Sequence, residues 1–328
     1  MESRTSLWLK ATLRSWPRGV SIVLALIPVM AFAFIVGNLA AESAVVIQKL
    51  GLSHLFSAEY HSAYDTGAYV FGMLPALWGT VLSVLVAIVL SAPIALTLAL
   101  LSSEFPLGVL SRSVRWLLGV LSGIPPIVYA LLAIVVARSF MQPKFCAWGI
   151  AASELPPAGM TWWSNNMLPR EMSTLLAGMM LALLVLPFMA PIMDDAIRGV
   201  SREAREASLA LGATRWHTLQ HVVLPSALSG ITGAVALGVL KVMGDLIIVA
   251  MTVGYASGLP SPLLDIFEPT ASLTSVGAGL LSAFSPRPSL GFMRSTGYFT
   301  GLLVFALAVL VLALAGYLQR KLKQRYSS

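Results

Sequence analysis

Six apolar stretches divide this chain, at approximately 20–41, 74–101, 116–138, 173–192, 225–253 and 297–318. No other feature narrows the choice of fold as far. A helix rises 1.5 Å per residue, so about 20 apolar residues cover the ~30 Å hydrocarbon core of a bilayer. Inside that core every backbone N–H and C=O needs an internal partner, which a helix supplies. Composition agrees: charged residues are 11% of the 328, against about 25% in a soluble domain. Hydrophobic residues make up 57%, and mean hydropathy is +0.84. So few charges cannot solvate a globular surface. The expected fold class is all-α, a polytopic membrane protein with six transmembrane helices. The fourth stretch is the weakest, short and interrupted by Pro187 and Pro191. Prolines are tolerated there because neighbouring groups satisfy the freed carbonyls.

The net charge of +7 falls at the ends of apolar stretches, which fits membrane surface and not nucleic acid. With the N-terminus inside, the inner segments collect Arg4, Lys10, Arg14, Arg18, Arg112, Arg115, Arg198, Arg202, Arg205, Arg215, Arg320, Lys321, Lys323 and Arg325. The outer ones hold only Lys49, Arg138, Lys144, Arg170, Arg287 and Arg294, and Lys241 lies within a span. Both termini of a multi-pass membrane protein are therefore expected in the cytoplasm. Leu39-Ala40-Ala41-Glu42 has the look of a signal-peptide cleavage site, but the first apolar stretch exceeds the usual 7–15 residues, so an uncleaved anchor is expected. The outer segments, roughly 42–73, 139–172 and 254–296, are polar and proline-marked, and Trp148, Trp162 and Trp163 suit an interface. Cys146 stands alone, which excludes an intrachain disulfide and a thiolate metal cluster. His217 and His221 lack a third ligand nearby, so no metal site is expected. No nucleophile has a base beside it and no G-x-x-x-x-G-K-[ST] loop occurs, so the chain is read as no enzyme, with no catalytic residue and no bound nucleotide or other cofactor.

The most specific pattern lies between the fourth and fifth stretches. Residues 202–211 read as a short helix, with Ser201 as N-cap, Glu203 in the first turn and Gly212 as the stop. Ala204, Ala207 and Leu211 fall on one face. Glu206-Ala207-Ser208, then Gly212, Val222 and Leu224-Pro225, keep the spacing E-A-A, three residues, G, nine residues, I, one residue, L-P. This resembles the loop of ATP-binding-cassette (ABC) importer permeases. Ser208 replaces the second alanine and Val222 the isoleucine. The resemblance implies a type I ABC importer permease fold (MetI-like), with a coupling helix at about 201–213. Glu206, Ala207, Ser208, Gly212, Leu224 and Pro225 would then couple it to a separate ATPase that uses the ATP.

Three further segments are similar to phosphate permeases of the PstC/PstA type. Gly79-Thr80 opens the second stretch and Ser102-Ser103-Glu104-Phe105-Pro106 closes it. Gly123-Ile124-Pro125-Pro126-Ile127-Val128-Tyr129-Ala130 is similar to G-I-P-S-x-V-Y-G. Its two prolines break the helix, which suits either a cavity lining or a packing kink. Lys241-Val242-Met243-Gly244-Asp245 is similar to R-x-x-G-E, whose charges are implicated in transport in that family. Two readings stay open for Lys241 and Asp245, which are four apart: a substrate path, with Gly244 between them, or a pair that neutralises itself. The loop 264–274 resembles the one following the fifth span in PstC. The resemblance implies phosphate uptake across the bacterial inner membrane, with a second, PstA-like permease, two PstB-like ATPase subunits, a PstS-like phosphate-binding protein and the lipid bilayer as partners. Lysine in place of arginine leaves molybdate, tungstate or phosphonate open, and an ATP-independent channel or secondary transporter is the competing class. The expected division is 1–73 (cytoplasmic segment, first span, outer loop), 74–318 (permease core) and 319–328 (basic tail).

Overall fold

A computed structural model describes residues 4–51, 56–58, 60–62, 69–104, 108–137, 173–253, 259–260, 263–266, 270–282 and 291–326. Cys146, Trp148, Trp162 and Trp163 lie outside the described residues, as do Phe267, Glu268 and Pro269 of the 264–274 loop. The elements are α1 (Arg4–Leu50), β1 (Tyr60–Ser62), β2 (Tyr69–Phe71), α2 (Leu74–Ser103), α3 (Val109–Ser122) and α4 (Pro126–Leu132, running on as a π turn Ala133–Ala137). They continue with α5 (Thr174–Arg198), α6 (Arg202–Ala210), α7 (Arg215–Thr218, then a π turn Leu219–Val223), α8 (Leu224–Met243), α9 (Ile247–Thr252), α10 (Leu273–Ser282) and α11 (Gly291–Tyr326). The body is helical as expected. The strands among the described residues are the short antiparallel pair β1–β2, which sets Tyr60 opposite Phe71.

Among the described residues, five helices are long and apolar enough to cross a bilayer, and a sixth crossing exists if α3 and α4 together make one. That third crossing is broken at Pro125-Pro126, as the two prolines indicated, and α3 and α4 meet at 96°. The fifth stretch is also divided: α8 ends at Met243 and α9 begins at Ile247.

The core forms around α5, which packs on α2 and α8 and is the most buried span. A repeat of small residues explains how α2 approaches it. Gly79, Ser83, Ala87, Ser91, Ala95 and Ala99 recur every fourth position, and all are buried. Helices in lipid gain nothing from apolar burial as such, so close backbone approach over small residues is what holds them. From the other side, a Cβ added at Gly178 of α5 would stand 2.3 Å from Val86 Cγ1. The α5–α8 contact uses the same device, with a Cβ at Gly238 falling 2.4 Å from Met189 Sδ.

α1 and α11 form an outer layer and run antiparallel. Ser295 donates to Glu42 Oε2 at 2.9 Å, and further along Phe32 meets Phe305 at 5.9 Å between centroids. Gln319 of α11 reaches Gly233 of α8, so the end of α11 and the start of α1 share a side of the bundle with α6. This side is called the basic end below.

At the opposite end a seam of buried hydroxyls fixes the chain before α10. Thr80 Oγ1 accepts from the Leu273 N–H at 2.9 Å, and the Thr174 and Thr270 hydroxyls are 2.9 Å apart. A Cβ at Gly79 would lie 1.9 Å from the Ala271 carbonyl oxygen. Gly79-Thr80 is therefore where this backbone docks.

Candidate functional site

The loop at the basic end is built by local capping. Ser201 Oγ accepts from the Ala204 N–H at 3.4 Å and starts α6. Gly212 ends it with φ +87, a region where a Cβ is strained. There the Ala213 N–H reaches the Ser208 carbonyl at 3.2 Å and the Gly212 N–H the Leu209 carbonyl at 2.9 Å, the paired bonds of a Schellman stop. Thr214 then caps α7, accepting from the His217 N–H at 3.2 Å. The N-cap and stop lie where the sequence indicated.

The faces of α6 are divided differently from the expected alanine stripe. Ala204, Arg205 and Ser208 turn toward the protein, while Glu206, Ala207, Ala210 and Leu211 are exposed. Leu211 is 90% exposed and Trp216 on α7 is 59% exposed, so this end carries an apolar surface that the described residues leave uncovered. Ser208 Oγ lies 3.0 Å from Thr218 Oγ1. The residue that replaces alanine in the pattern thus ties α6 to α7. Leu224 and Pro225 open α8, with proline in the first turn where its missing N–H costs nothing.

Arg205 also escaped the sequence reading. Its Nη1 pairs with Glu104, just past α2, and its Nη2 donates to the Ile197 carbonyl at 2.6 Å. No sequence signal joins residues 101 positions apart. His217 and His221 stack with centroids 4.1 Å apart, and no group suited to a metal ion occurs among the described residues.

The second part of the site lies in the membrane body, where two helices are broken. Between α3 and α4, Gly123 caps one helix and Pro125, at φ −62 and ψ 145, turns the chain before Pro126 starts the next. Tyr129 is buried, and its hydroxyl donates to the Leu121 carbonyl at 2.8 Å. Pro125 cannot supply the helical donor to that carbonyl, and the hydroxyl takes its place beside the Ile124 N–H at 3.2 Å. Beyond Gly244, Asp245 Oδ1 accepts from the Ile248 N–H at 2.8 Å and starts α9. α9 packs on α4, so the two interruptions place their second halves together.

Lys241 occupies the last turn of α8 and is exposed on the bundle surface, its Nζ 5.3 Å from the Phe188 ring centroid. Among the described residues, Arg198 pairs with Asp194 and Arg205 with Glu104, and no ion pair joins Lys241 to Asp245. The helix ends between the two residues. Gly244 supplies that end and is exposed.

Residues 92–324 match the family model described as "Binding-protein-dependent transport system inner membrane component". The phosphate transport system permease protein PstC of Pasteurella multocida (strain Pm70) is 25% identical over 274 residues, covering 82% of this chain and 81% of that protein. PstC of Xylella fastidiosa (strain 9a5c) is 28% identical over 270 residues, covering 81% and 79%. The permease PstA 1 of Mycobacterium tuberculosis (strain CDC 1551 / Oshkosh) is 28% identical over 229 residues, covering 69% and 64%. Among solved structures, the bacterial alginate ABC transporter in complex with alginate pentasaccharide-bound periplasmic protein has a TM-score of 0.61 at 12% identity, covering 95% of this chain and 96% of its own. The inward-facing MetNI methionine ABC transporter has a TM-score of 0.52 at 17% identity, covering 76% and 95%. These structures share the fold.

Proposed function

The chain belongs to the family of binding-protein-dependent transport system inner membrane components, a multi-pass permease subunit of an ABC importer; from that premise we propose that it imports inorganic phosphate. The names of its PstC relatives support the substrate. The observation that carries the reading within this chain is Lys241: a cation on the bundle surface, in an otherwise apolar helix, beside two broken helices. An ammonium at mid-bilayer costs about 2.5–3.5 kcal/mol, and such residues mark ion paths. Lys241 attracts the oxyanion. Asp245, held by its bond to Ile248, limits the grip, and Gly244 lets the helix end between them.

The basic end lies in the cytoplasm, where Arg and Lys concentrate. One of two PstB-like ATPase subunits docks there on α6 through Glu206, Ala207 and the exposed Leu211, and the pair hydrolyses ATP. A PstA-like second permease completes the path, and a PstS-like protein delivers phosphate from outside. Gly123, Pro125, Pro126 and Tyr129 set the bend in the third crossing. The protein moves its substrate by alternating access and does not transform it.

The test is uptake of labelled phosphate into proteoliposomes holding the four kinds of subunit. ATP-dependent uptake, competed by unlabelled phosphate and not by molybdate, tungstate or a phosphonate, supports the reading. Preferential competition by one of those anions replaces the substrate, and uptake without ATP removes the coupling role.

A further inference from the structure

Two arginines at the basic end hold α2 to the loop that carries α6. Arg198, the last residue of α5, donates Nε to Asp194 Oδ2 at 2.9 Å and Nη2 to the Ser102 carbonyl at 2.7 Å. Arg205, midway along α6, pairs with Glu104 and donates to the Ile197 carbonyl at 2.6 Å. The side chains of Arg205 and Glu104 are 22% and 18% exposed, so water and salt screen the pair less than a surface bridge. No residue of α6 is itself buried, and its packing is with α7 and the turn after it. Arg205 is thus the charged link from α6 to a helix outside its own loop.

We propose that Arg205 is a positioning residue that makes α2 move with α6, so that the loop drives a third helix besides the two joined to it through the chain. This rests on the reading of α6 as the coupling element. α5 and α8 follow α6 through the backbone, whereas the segment after α2 runs on to α3. Yet α2 and α5 interdigitate along the four-residue seam of small side chains, where a slip of one past the other breaks every contact at once. The grip at Ser102, Glu104 and Ile197 keeps both helix ends in register while α6 is displaced. Asp194 Oδ1, buried and without a hydrogen-bond partner, gives the same cluster an acceptor for a donor that such a displacement brings in.

The test uses the full complex in proteoliposomes. Spin labels go at Ser103→Cys and Glu203→Cys in a Cys146→Ser background, and their separation is read with and without trapped ATP. With Glu104 present the separation stays the same in both states; in Glu104→Gln it changes between them, and phosphate moved per ATP falls about tenfold, the equivalent of one charge-assisted hydrogen bond. Unchanged complex yield and thermal midpoint in Glu104→Gln separate a lost link from lost stability, and the exchange of Glu104→Arg with Arg205→Glu, which rebuilds the pair but not the bond to the Ile197 carbonyl, recovers part of both readouts. Wild-type ratio and separations in Glu104→Gln overturn the proposal, as does an assembled exchange variant that recovers neither. Gly212→Pro is the control: lost coupling there with none lost in Glu104→Gln overturns this proposal alone, whereas coupling intact in Gly212→Pro overturns the role of α6 itself.

Discussion

Lys241 and Tyr129 show what one polar group does in an apolar helix. The Lys241 ammonium is supported by the face of Phe188, a contact worth about 0.5–1 kcal/mol at an exposed site, which leaves its charge available. Lys241→Ala is expected to cut the initial rate of phosphate uptake by about 10–150-fold, the range for losing a charged hydrogen bond of roughly 1.5–3 kcal/mol. Lys241→Arg keeps the charge and most of the rate. Labelled uptake measures both, with complex yield by gel filtration as the control, and an unchanged rate in the alanine variant would take Lys241 out of the path. Tyr129→Phe instead removes one of the donors to the Leu121 carbonyl at the bend and leaves it the Ile124 N–H at 3.2 Å. A loss of about 1–2 kcal/mol is expected, read as a lower thermal midpoint in detergent; an unshifted midpoint would mean the bend stands without that bond. Both residues were conspicuous in the sequence through their motifs. Their partners were not, because Leu121 becomes an acceptor only after the prolines have bent the chain, and Phe188 sits on a different helix.

Among the elements, α6 was the easiest to read and the third crossing the hardest, for the same reason. Helix ends are set by local chemistry, and Ser201 and Gly212 act within one turn of themselves. A bend angle depends on what the freed segments pack against, and neither 96° nor the meeting of α4 with α9 is written in the local sequence. The seam on α2 was legible in principle: small residues every fourth position from Gly79 to Ala99 are a packing signal in a membrane helix. A search for hydrophobic periodicity passes over it because alanine, serine and glycine carry little hydrophobic weight. Gly212 separates backbone strain from contact. A Cβ there meets nothing within 4 Å, so Gly212→Ala costs only the left-handed backbone, about 1 kcal/mol, and uptake is largely kept. Gly212→Pro cannot reach φ +87 and removes the N–H bound to Leu209, so α6 loses its stop. ATP hydrolysis measured beside uptake is expected to separate in the proline variant and stay linked in the alanine one; equal behaviour of the two would show that the stop has no part in coupling.

The molecule as a whole presents two unlike flanks. One is the outer layer, where α1 exposes Ile22, Val23, Leu26, Ile27, Met30 and Phe34, and the adjoining face of α11 exposes Leu310, Leu312 and Leu314. This surface suits lipid. The other flank is formed by α5, α8 and α9, where Phe188, Leu237, Leu246 and Ile247 are exposed around Lys241. An apolar surface interrupted by an ammonium suits lipid poorly, and it matches what two permeases would enclose between them. In a Cys146→Ser background, a cysteine at Leu237, one turn from Lys241, is expected to cross-link to the second permease through a short bifunctional maleimide, while one at Val23 does not. The product is a heterodimer band on a denaturing gel, and phosphate with trapped ATP changes its yield if the path between the subunits opens and closes. Cross-linking at Val23 in preference to Leu237 would turn the molecule around, with Lys241 facing away from the path and the outer layer forming the interface.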